Sequence, residues 1–238
     1  MTPPAPDPAL VDKLVFANRI LYHQGVVDGF GHVSVRHDKA SGHFLLARNM
    51  APGLVRRGDV VTFDQDGTAL DAAGRRVYLE RFIHGEIYRA RSDVQAVVHS
   101  HSPNVIPFGV TQQPLRPVFH MSGFLAEGSA LFEIRDIAED TDMLVSSRPL
   151  GEALAAALGS HTAVLMRGHG STVVGASLEQ AVYRAVYAEV NARLQIQAMT
   201  LGEVTYLNAQ EAAKAAAVND TQLPRVWELW QRAVGSIE

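Results

Sequence analysis

Not one of the 238 residues is cysteine, which removes disulfides and every thiolate metal site at once. Any bound metal must then rest on histidine and carboxylate, a donor set that favours a divalent ion such as Zn, Mn, Fe or Co. The chain also lacks a block of like charge. Its 21 Lys and Arg against 25 Asp and Glu leave a formal net charge of −4, so no nucleic-acid partner is expected. Long apolar runs are missing too: nowhere do about eighteen apolar residues follow one another, as a membrane span would need. The N-terminal Met1-Thr2-Pro3-Pro4-Ala5-Pro6-Asp7-Pro8 carries neither the basic nor the apolar region of a secretion signal. The expectation is a soluble, cytoplasmic protein with no membrane partner that acts on a small molecule.

What is present is a chain of 47% hydrophobic residues without a Pro/Gly-rich or charged interior stretch. One globular domain over residues 10–238 is expected, preceded by a short disordered segment, 1–9. Leu10, Val11, Leu14, Val15, Ile20 and Leu21 recur at helical spacing, with Gly25 as a stop. His32–Arg36, Phe44–Ala47 and Val60–Phe63 read as strands, the last closed by the turn Asp64-Gln65-Asp66-Gly67. Phe82, Ile83, Ile87 and Tyr88 predict a helix over Arg81–Arg91, with Glu80 at its beginning, and the run Val94–Val98 predicts a strand after it. A short helix or turn after Pro103, a strand around Ala130–Ile134, a helix over Leu150–Leu158 and a strand over Ala163–Met166 follow. Ser177-Leu178-Glu179-Gln180 has the form of a capping box and opens the longest helix, to about Leu201. A last helix is predicted over Ala209–Val218, leaving Trp227, Leu229 and Trp230 to pack on this chain or on a neighbour. Strands and helices mix without a regular βαβ repeat, which gives an α/β fold.

The chemistry is concentrated in three places. Val98-His99-Ser100-His101 ends an apolar strand, and alternate residues of a strand share a face, so His99 and His101 point to one side. His169 follows a second strand between two glycines, in Gly168-His169-Gly170, where the backbone can turn tightly. Three neutral imidazoles can hold a divalent cation and leave positions open for a substrate, although two histidines on one strand also occur as hydrogen-bonded core residues. Glu80 is a fourth candidate, as ligand or general acid/base, against the plainer reading of a carboxylate placed at a helix N-terminus.

With these residues in place, the chain resembles the class II aldolase/adducin superfamily, whose pattern has a Glu, a His-x-His nineteen positions later and a distal His-Gly. Here those are Glu80, Val97-Val98-His99-Ser100-His101 and Arg167-Gly168-His169-Gly170. Gly31-His32-Val33-Ser34-Val35-Arg36 is similar to the family's Gly-Asn-(x)-Ser-x-Arg segment, and the resemblance covers roughly residues 10 to 200. It implies a three-layer α/β/α fold with a central, largely antiparallel sheet. It also implies one divalent metal ion on His99, His101 and His169, with Glu80 as ligand or acid/base. Active sites of this superfamily lie between subunits, so the resemblance further implies a homotetramer or higher homo-oligomer in which Tyr206 and the C-terminal segment complete a neighbour's site.

The departures bear on the substrate. Sugar-phosphate members carry Gly-Asn, a Thr-Pro-Ser-Gly-like loop and a Ser-Ser pair; here stand Gly31-His32, Ala47-Arg48-Asn49-Met50-Ala51-Pro52 and Tyr78-Leu79. Small donors suited to a phosphate dianion give way to larger groups, and Leu79 offers no hydrogen bond at all. His32, Arg48, Tyr78 and Arg81 become candidate substrate contacts, since guanidiniums pair with carboxylates and an aromatic ring can stack. Together with Glu80-Arg81-Phe82-Ile83-His84-Gly85 and Pro117-Val118-Phe119-His120-Met121, this resembles the superfamily's hydroxy-aromatic decarboxylase branch, whose substrates include dihydroxyphthalate and a hydroxy-methylpyridine dicarboxylate. The expected activity is metal-dependent decarboxylation of a hydroxylated aromatic or pyridine dicarboxylate in aromatic catabolism. Glu80 is its acid/base, and His84 and His120 are further candidates for catalysis. The alternatives are class II aldol cleavage of a hydroxy-keto substrate, phosphorylated or not, and a non-catalytic adducin-like scaffold.

Overall fold

The computed structural model describes residues 3–237. Its seven strands are β1 His32–Arg36, β2 His43–Ala47, β3 Val60–Asp64, β4 Ala96–Ser100, β5 Ala130–Phe132, β6 Ala163–Met166 and β7 Gly170–Gly175. Its α-helices are α1 Pro8–His23, α2 Arg81–Ala90, α3 Ile106–Gly109, α4 Arg148–Leu158, α5 Leu178–Leu201, α6 Ala209–Asp220 and α7 Leu223–Val234. The strands form one sheet in the order β3-β2-β1-β4-β7-β6-β5, antiparallel at every pair except β5 with β6. This is the expected α/β fold with a central, largely antiparallel sheet.

Strand alternation sorts the side chains into two apolar layers. Val33, Val35, Leu45, Val98, Leu165 and Val173 face α1, α5 and α7, which bring Leu14, Ile20, Leu21, Ala181, Val182, Trp227 and Trp230. Phe44, Leu46, Phe63, Val97, Val164 and Val174 face α2 and α4, which bring Ile83, Ile87, Leu154 and Leu158. A fully buried Leu or Ile of either layer contributes about 1.5–3 kcal/mol relative to an exposed one. Arg36 ties the second layer together, donating to the carbonyls of Val94, Tyr88 and Arg91 at 2.6–2.8 Å and so fixing the end of α2 beside β1 and β4.

Four expectations are corrected, among them the last helix, since α7 follows the one predicted over Ala209–Val218. The first helix starts at Pro8, not Leu10: the Asp7 carboxylate accepts from the Ala9 N–H at 2.8 Å, and Pro8 suits a first helical position. Part of the segment expected to be disordered is therefore held, and Pro4 also offers its carbonyl to His37 at 3.0 Å; Met1 and Thr2 lie outside the described residues. Strand β7 was not foreseen, because its apolar run is only Val173-Val174, with Ser171 and Thr172 before it and glycines at 170 and 175. The capping box at Ser177 is half formed. Ser177 accepts from the Gln180 N–H, but the Gln180 side chain accepts from Ala176 instead of Ser177. Finally, Trp227 and Trp230 pack on this chain, on α7, while Leu229 stays exposed. No helix among the described residues is long and apolar enough to cross a membrane.

Candidate metal centre

Strands β1, β4 and β7 are neighbours, and their register sets His32 opposite His99 and His99 opposite Thr172. All three side chains lie on the α2/α4 face, because each alternates with a valine that points to the other layer. His101 follows the end of β4, and His169 sits in the β6–β7 turn. Gly168 takes φ +66° there, and at Gly170 a Cβ would lie 2.1 Å from the Ser100 carbonyl oxygen. The turn can approach β4 this closely only with glycine at 170. Across the site, Glu80 precedes α2, but its carboxylate does not cap the helix. It turns inward instead.

Glu80, His99, His101 and His169 bring one ligand atom each to within 4.8 Å of one another. His101 Nε2 lies 3.3 Å from His99 Nε2 and 3.0 Å from His169 Nε2, and Glu80 Oε2 lies 3.6 Å from both His99 and His169. The tautomers follow from the outer partners. His169 Nδ1 is 2.8 Å from the Met143 carbonyl, which can only accept, so the His169 proton is on Nδ1 and the Nε2 lone pair points inward. His99 Nδ1 meets Thr172 Oγ1 at 3.4 Å. On Glu80, Oε1 accepts from the Val145 N–H at 2.9 Å and Oε2 faces the imidazoles. Met143, at φ +72°, and Val145 thus hold two members of the cluster, His169 and Glu80, from one short stretch of chain.

Burial pushes the pKa of His99 and His101 down and that of Glu80 up, which disfavours charge on each of them. Inward-facing lone pairs at 3.0–3.3 Å repel unless a cation or a shared proton lies between them. Three neutral imidazoles and one carboxylate, with outer hydrogen bonds that orient two of the rings, are a donor set that fits a divalent ion.

Beside the cluster opens a cavity of about 300 Å³, bordered by Phe30, His32, Asn49, Met50, Tyr78, Leu79, Glu80, His101 and Leu144. Of the expected substrate contacts, His32 and Tyr78 border it, their ring centroids 4.7 Å apart. The Tyr78 hydroxyl donates to the Met50 carbonyl, and burial pushes its pKa up to about 12.

Arg48 and Arg81 are not brought to the cavity. Arg48 is engaged by Asp59 at 2.6 Å, and Arg81 donates to the carbonyls of Gly67 and Tyr78 while lying over the Phe82 ring. Their guanidiniums are satisfied by local partners, something composition cannot reveal. His84, expected as catalytic, is fully buried behind His32 and does not border the cavity. One helical turn beyond Glu80 lies deeper in the layer, not at its rim.

His120 is separate from the centre. It is exposed in the 3₁₀ turn His120–Leu125 and borders another cavity, with Tyr183, Tyr187 and Arg225. Tyr206 is engaged within its own chain: its hydroxyl accepts from Gln195 at 3.2 Å, and the Arg116 guanidinium lies 4.0 Å from its ring centroid. Sequence reading missed Thr172, Met143, Val145 and Leu144. Thr172 lay in the unforeseen strand, and the other three act through backbone groups or a position that no motif marks.

Comparison with known proteins agrees with this geometry. Residues 12–196 match the family described as Class II Aldolase and Adducin N-terminal domain. The chain is 36% identical over 239 residues to the decarboxylase tropJ of Talaromyces stipitatus, covering 90% of each chain. It is 31% identical over 201 residues to a 3,4-dihydroxyphthalate decarboxylase of Arthrobacter keyseri, covering 80% of this chain and 79% of that one. Among solved structures, an aldolase II superfamily protein from Pseudomonas syringae superposes with a TM-score of 0.80 at 26% identity, over 96% of this chain and 94% of the other.

Proposed function

The chain belongs to the class II aldolase and adducin family, and on that premise we propose that it is a divalent-metal-dependent carboxy-lyase acting on a hydroxylated aromatic acid. Dihydroxyphthalate-like dicarboxylates are the first substrates to test, since a relative is named for one. The observation that carries the reading is the lining of the cavity beside Glu80 and the three imidazoles. Phe30, Met50, Tyr78, Leu79 and Leu144 give it apolar surface, and no Ser or Thr hydroxyl and no Lys or Arg borders it. Such a lining suits an aromatic ring better than a sugar phosphate.

A divalent cation held by His99, His101 and His169, with Glu80 as fourth ligand or as acid/base, supplies Lewis-acid stabilisation to the oxygen that gains charge when the C–C bond breaks. The protein's own groups do the rest. Tyr78 and Phe30 flank the ring, and Asn49 and His32 offer polar contacts, His32 from beside the cluster, its ring centroid 5.0 Å from that of His99. As CO2 leaves, its bonding pair stays on the ring carbon, and Glu80 Oε2 delivers the proton that this carbon takes up. Val145 pins the other oxygen of Glu80, and burial favours the protonated acid. A second carboxylate would meet no guanidinium here, so singly and doubly carboxylated acids belong in one panel.

The test is apo-protein reconstituted with Mn, Fe, Zn or Co and assayed for CO2 from hydroxylated aromatic mono- and dicarboxylates. At least one acid should release CO2, and Glu80→Gln should slow that release at least about a hundredfold. Release of a pyruvate-like carbonyl from a hydroxy-keto acid, without CO2, would establish the aldolase instead. A chain that binds none of the four metals would establish the scaffold. The proposal includes a homo-oligomer, a tetramer or larger, supported by Phe30 and Leu79, which are 70% and 59% exposed in the single chain. Sedimentation at the monomer mass would remove that part.

A further inference from the structure

Behind His32, which borders the cavity, three buried polar side chains with no part in the steps above continue an unbroken run. His32 Nδ1 lies 2.7 Å from His84 Nε2, His84 Nδ1 lies 2.6 Å from Ser34 Oγ, and Ser34 Oγ lies 2.8 Å from the Tyr88 hydroxyl. Any one of these links could be donated from either side. The run as a whole cannot. The Tyr88 hydroxyl is buried against Phe44, and Ser34 Oγ is the acceptor it meets among the described residues. A buried hydroxyl with its proton unplaced costs as much as a lost hydrogen bond, so Tyr88 donates to Ser34.

The remaining links follow in order. Ser34 Oγ has room to accept twice, but its own proton, with His84 and Tyr88 as its partners among the described residues, would then be unplaced; having accepted from Tyr88 it donates to His84 Nδ1. His84 then carries its proton on Nε2 and donates to His32 Nδ1. His32 in turn carries its proton on Nε2, which has no protein partner among the described residues and belongs to a ring that borders the cavity. The opposite polarity, or a doubly protonated His32, would make His84 donate from Nδ1 to Ser34 and so strand one hydroxyl proton, that of Ser34 or that of Tyr88, in the apolar layer.

We propose that Tyr88, Ser34 and His84 are positioning residues that lock His32 as its Nε2–H tautomer, so that His32 presents the cavity with a hydrogen-bond donor and no acceptor. With the Tyr78 hydroxyl committed to Met50, His32 is the oriented ring donor on this wall. It selects a substrate with a carboxylate or carbonyl oxygen at that position and rejects one with an amino group there. The substrate contact rests on the decarboxylase reading; the tautomer does not.

Long-range ¹H–¹⁵N spectra of the Zn-loaded protein without substrate test the lock. His32 and His84 should both be protonated on Nε2 and bare on Nδ1, and Tyr88→Phe, which removes only the terminal hydroxyl, should give mixed tautomers at both. A His32 proton on Nδ1, or unchanged tautomers in Tyr88→Phe, would overturn the proposal. Addition of 2,3-dihydroxybenzoate tests the contact. The His32 Nε2–H resonance should move on binding, and Tyr88→Phe should bind roughly tenfold more weakly, the scale of one misdirected hydrogen bond. Binding without movement at His32 refutes the contact, whereas no binding by this acid or by any member of the acid panel refutes the substrate reading and leaves the lock standing.

Discussion

The two faces of β1, β4 and β7 differ more than any two elements of the molecule. On one face Val33, Val35, Val98 and Val173 meet α1 and α5 in an apolar layer edged by the buried pair Ser100 and Ser171. On the other, at the same end of the same strands, stand His32, Ser34, His99 and Thr172, all nearly or wholly buried. Each of these polar side chains has a specific partner, as burial requires. The valine face holds the strands together, and the histidine face uses that rigidity to keep inward-pointing lone pairs close. Stability and chemistry are thus separated by a single step along each strand.

That separation can be broken residue by residue. On the histidine face, Glu80→Gln is expected to cut turnover on the order of 10²–10⁴-fold with metal retained, and His99→Ala to lose the metal as well. Turnover and metal stoichiometry read the two effects. One residue earlier on β4, Val98→Ala should cost about 2 kcal/mol in chemical denaturation with metal stoichiometry unchanged. Equal loss of metal in both variants would show that the faces are not separable.

The buried imidazoles also make the histidine face the acid-sensitive one. Burial pushes the His84 pKa down to about 3 from 6.5 in the unfolded chain. Between those values the unfolded chain binds a proton that the folded one refuses, so stability falls as pH drops below 6.5. The slope from this group is at most ~1.4 kcal/mol per pH unit, and His84→Asn should flatten it in urea titrations at several pH values. The smallest effect is expected at Arg48. Its partly exposed pair with Asp59 lies outside the cavity, so Arg48→Ala should change stability by about 1 kcal/mol or less and leave KM within about twofold. A tenfold rise in KM would return Arg48 to the substrate.

How far the sequence reveals this arrangement depends on the range of each interaction. The strand before His99, the tight turn around His169 and the helix after Glu80 are all local, and spacing alone places them. Whether the Glu80 carboxylate caps its helix or turns into the site is decided by the Val145 N–H, 65 residues away. Arg48 and Arg81 have the right chemistry for a carboxylate, but Asp59 and the Gly67 and Tyr78 carbonyls engage them first. His84 lies in the motif with Glu80, yet the helical rise carries it behind His32. Strand β7 supplies Thr172 from a run too short to stand out. Residue type and period were therefore legible, while side-chain direction was not, because partners distant in sequence set it.

The stretch Met143-Leu144-Val145 acts mechanically as a clasp. Its first residue holds the His169 ring through a carbonyl, its last holds the Glu80 carboxylate through an N–H, and the Leu144 side chain between them forms part of the cavity wall. A three-residue arc anchored at both ends has little freedom to bend at its centre alone. A molecule that presses on Leu144 therefore shifts load onto both the His169 imidazole and the Glu80 carboxylate, so the shape of the cavity wall and the spacing of these two candidate ligands are set by the same piece of backbone.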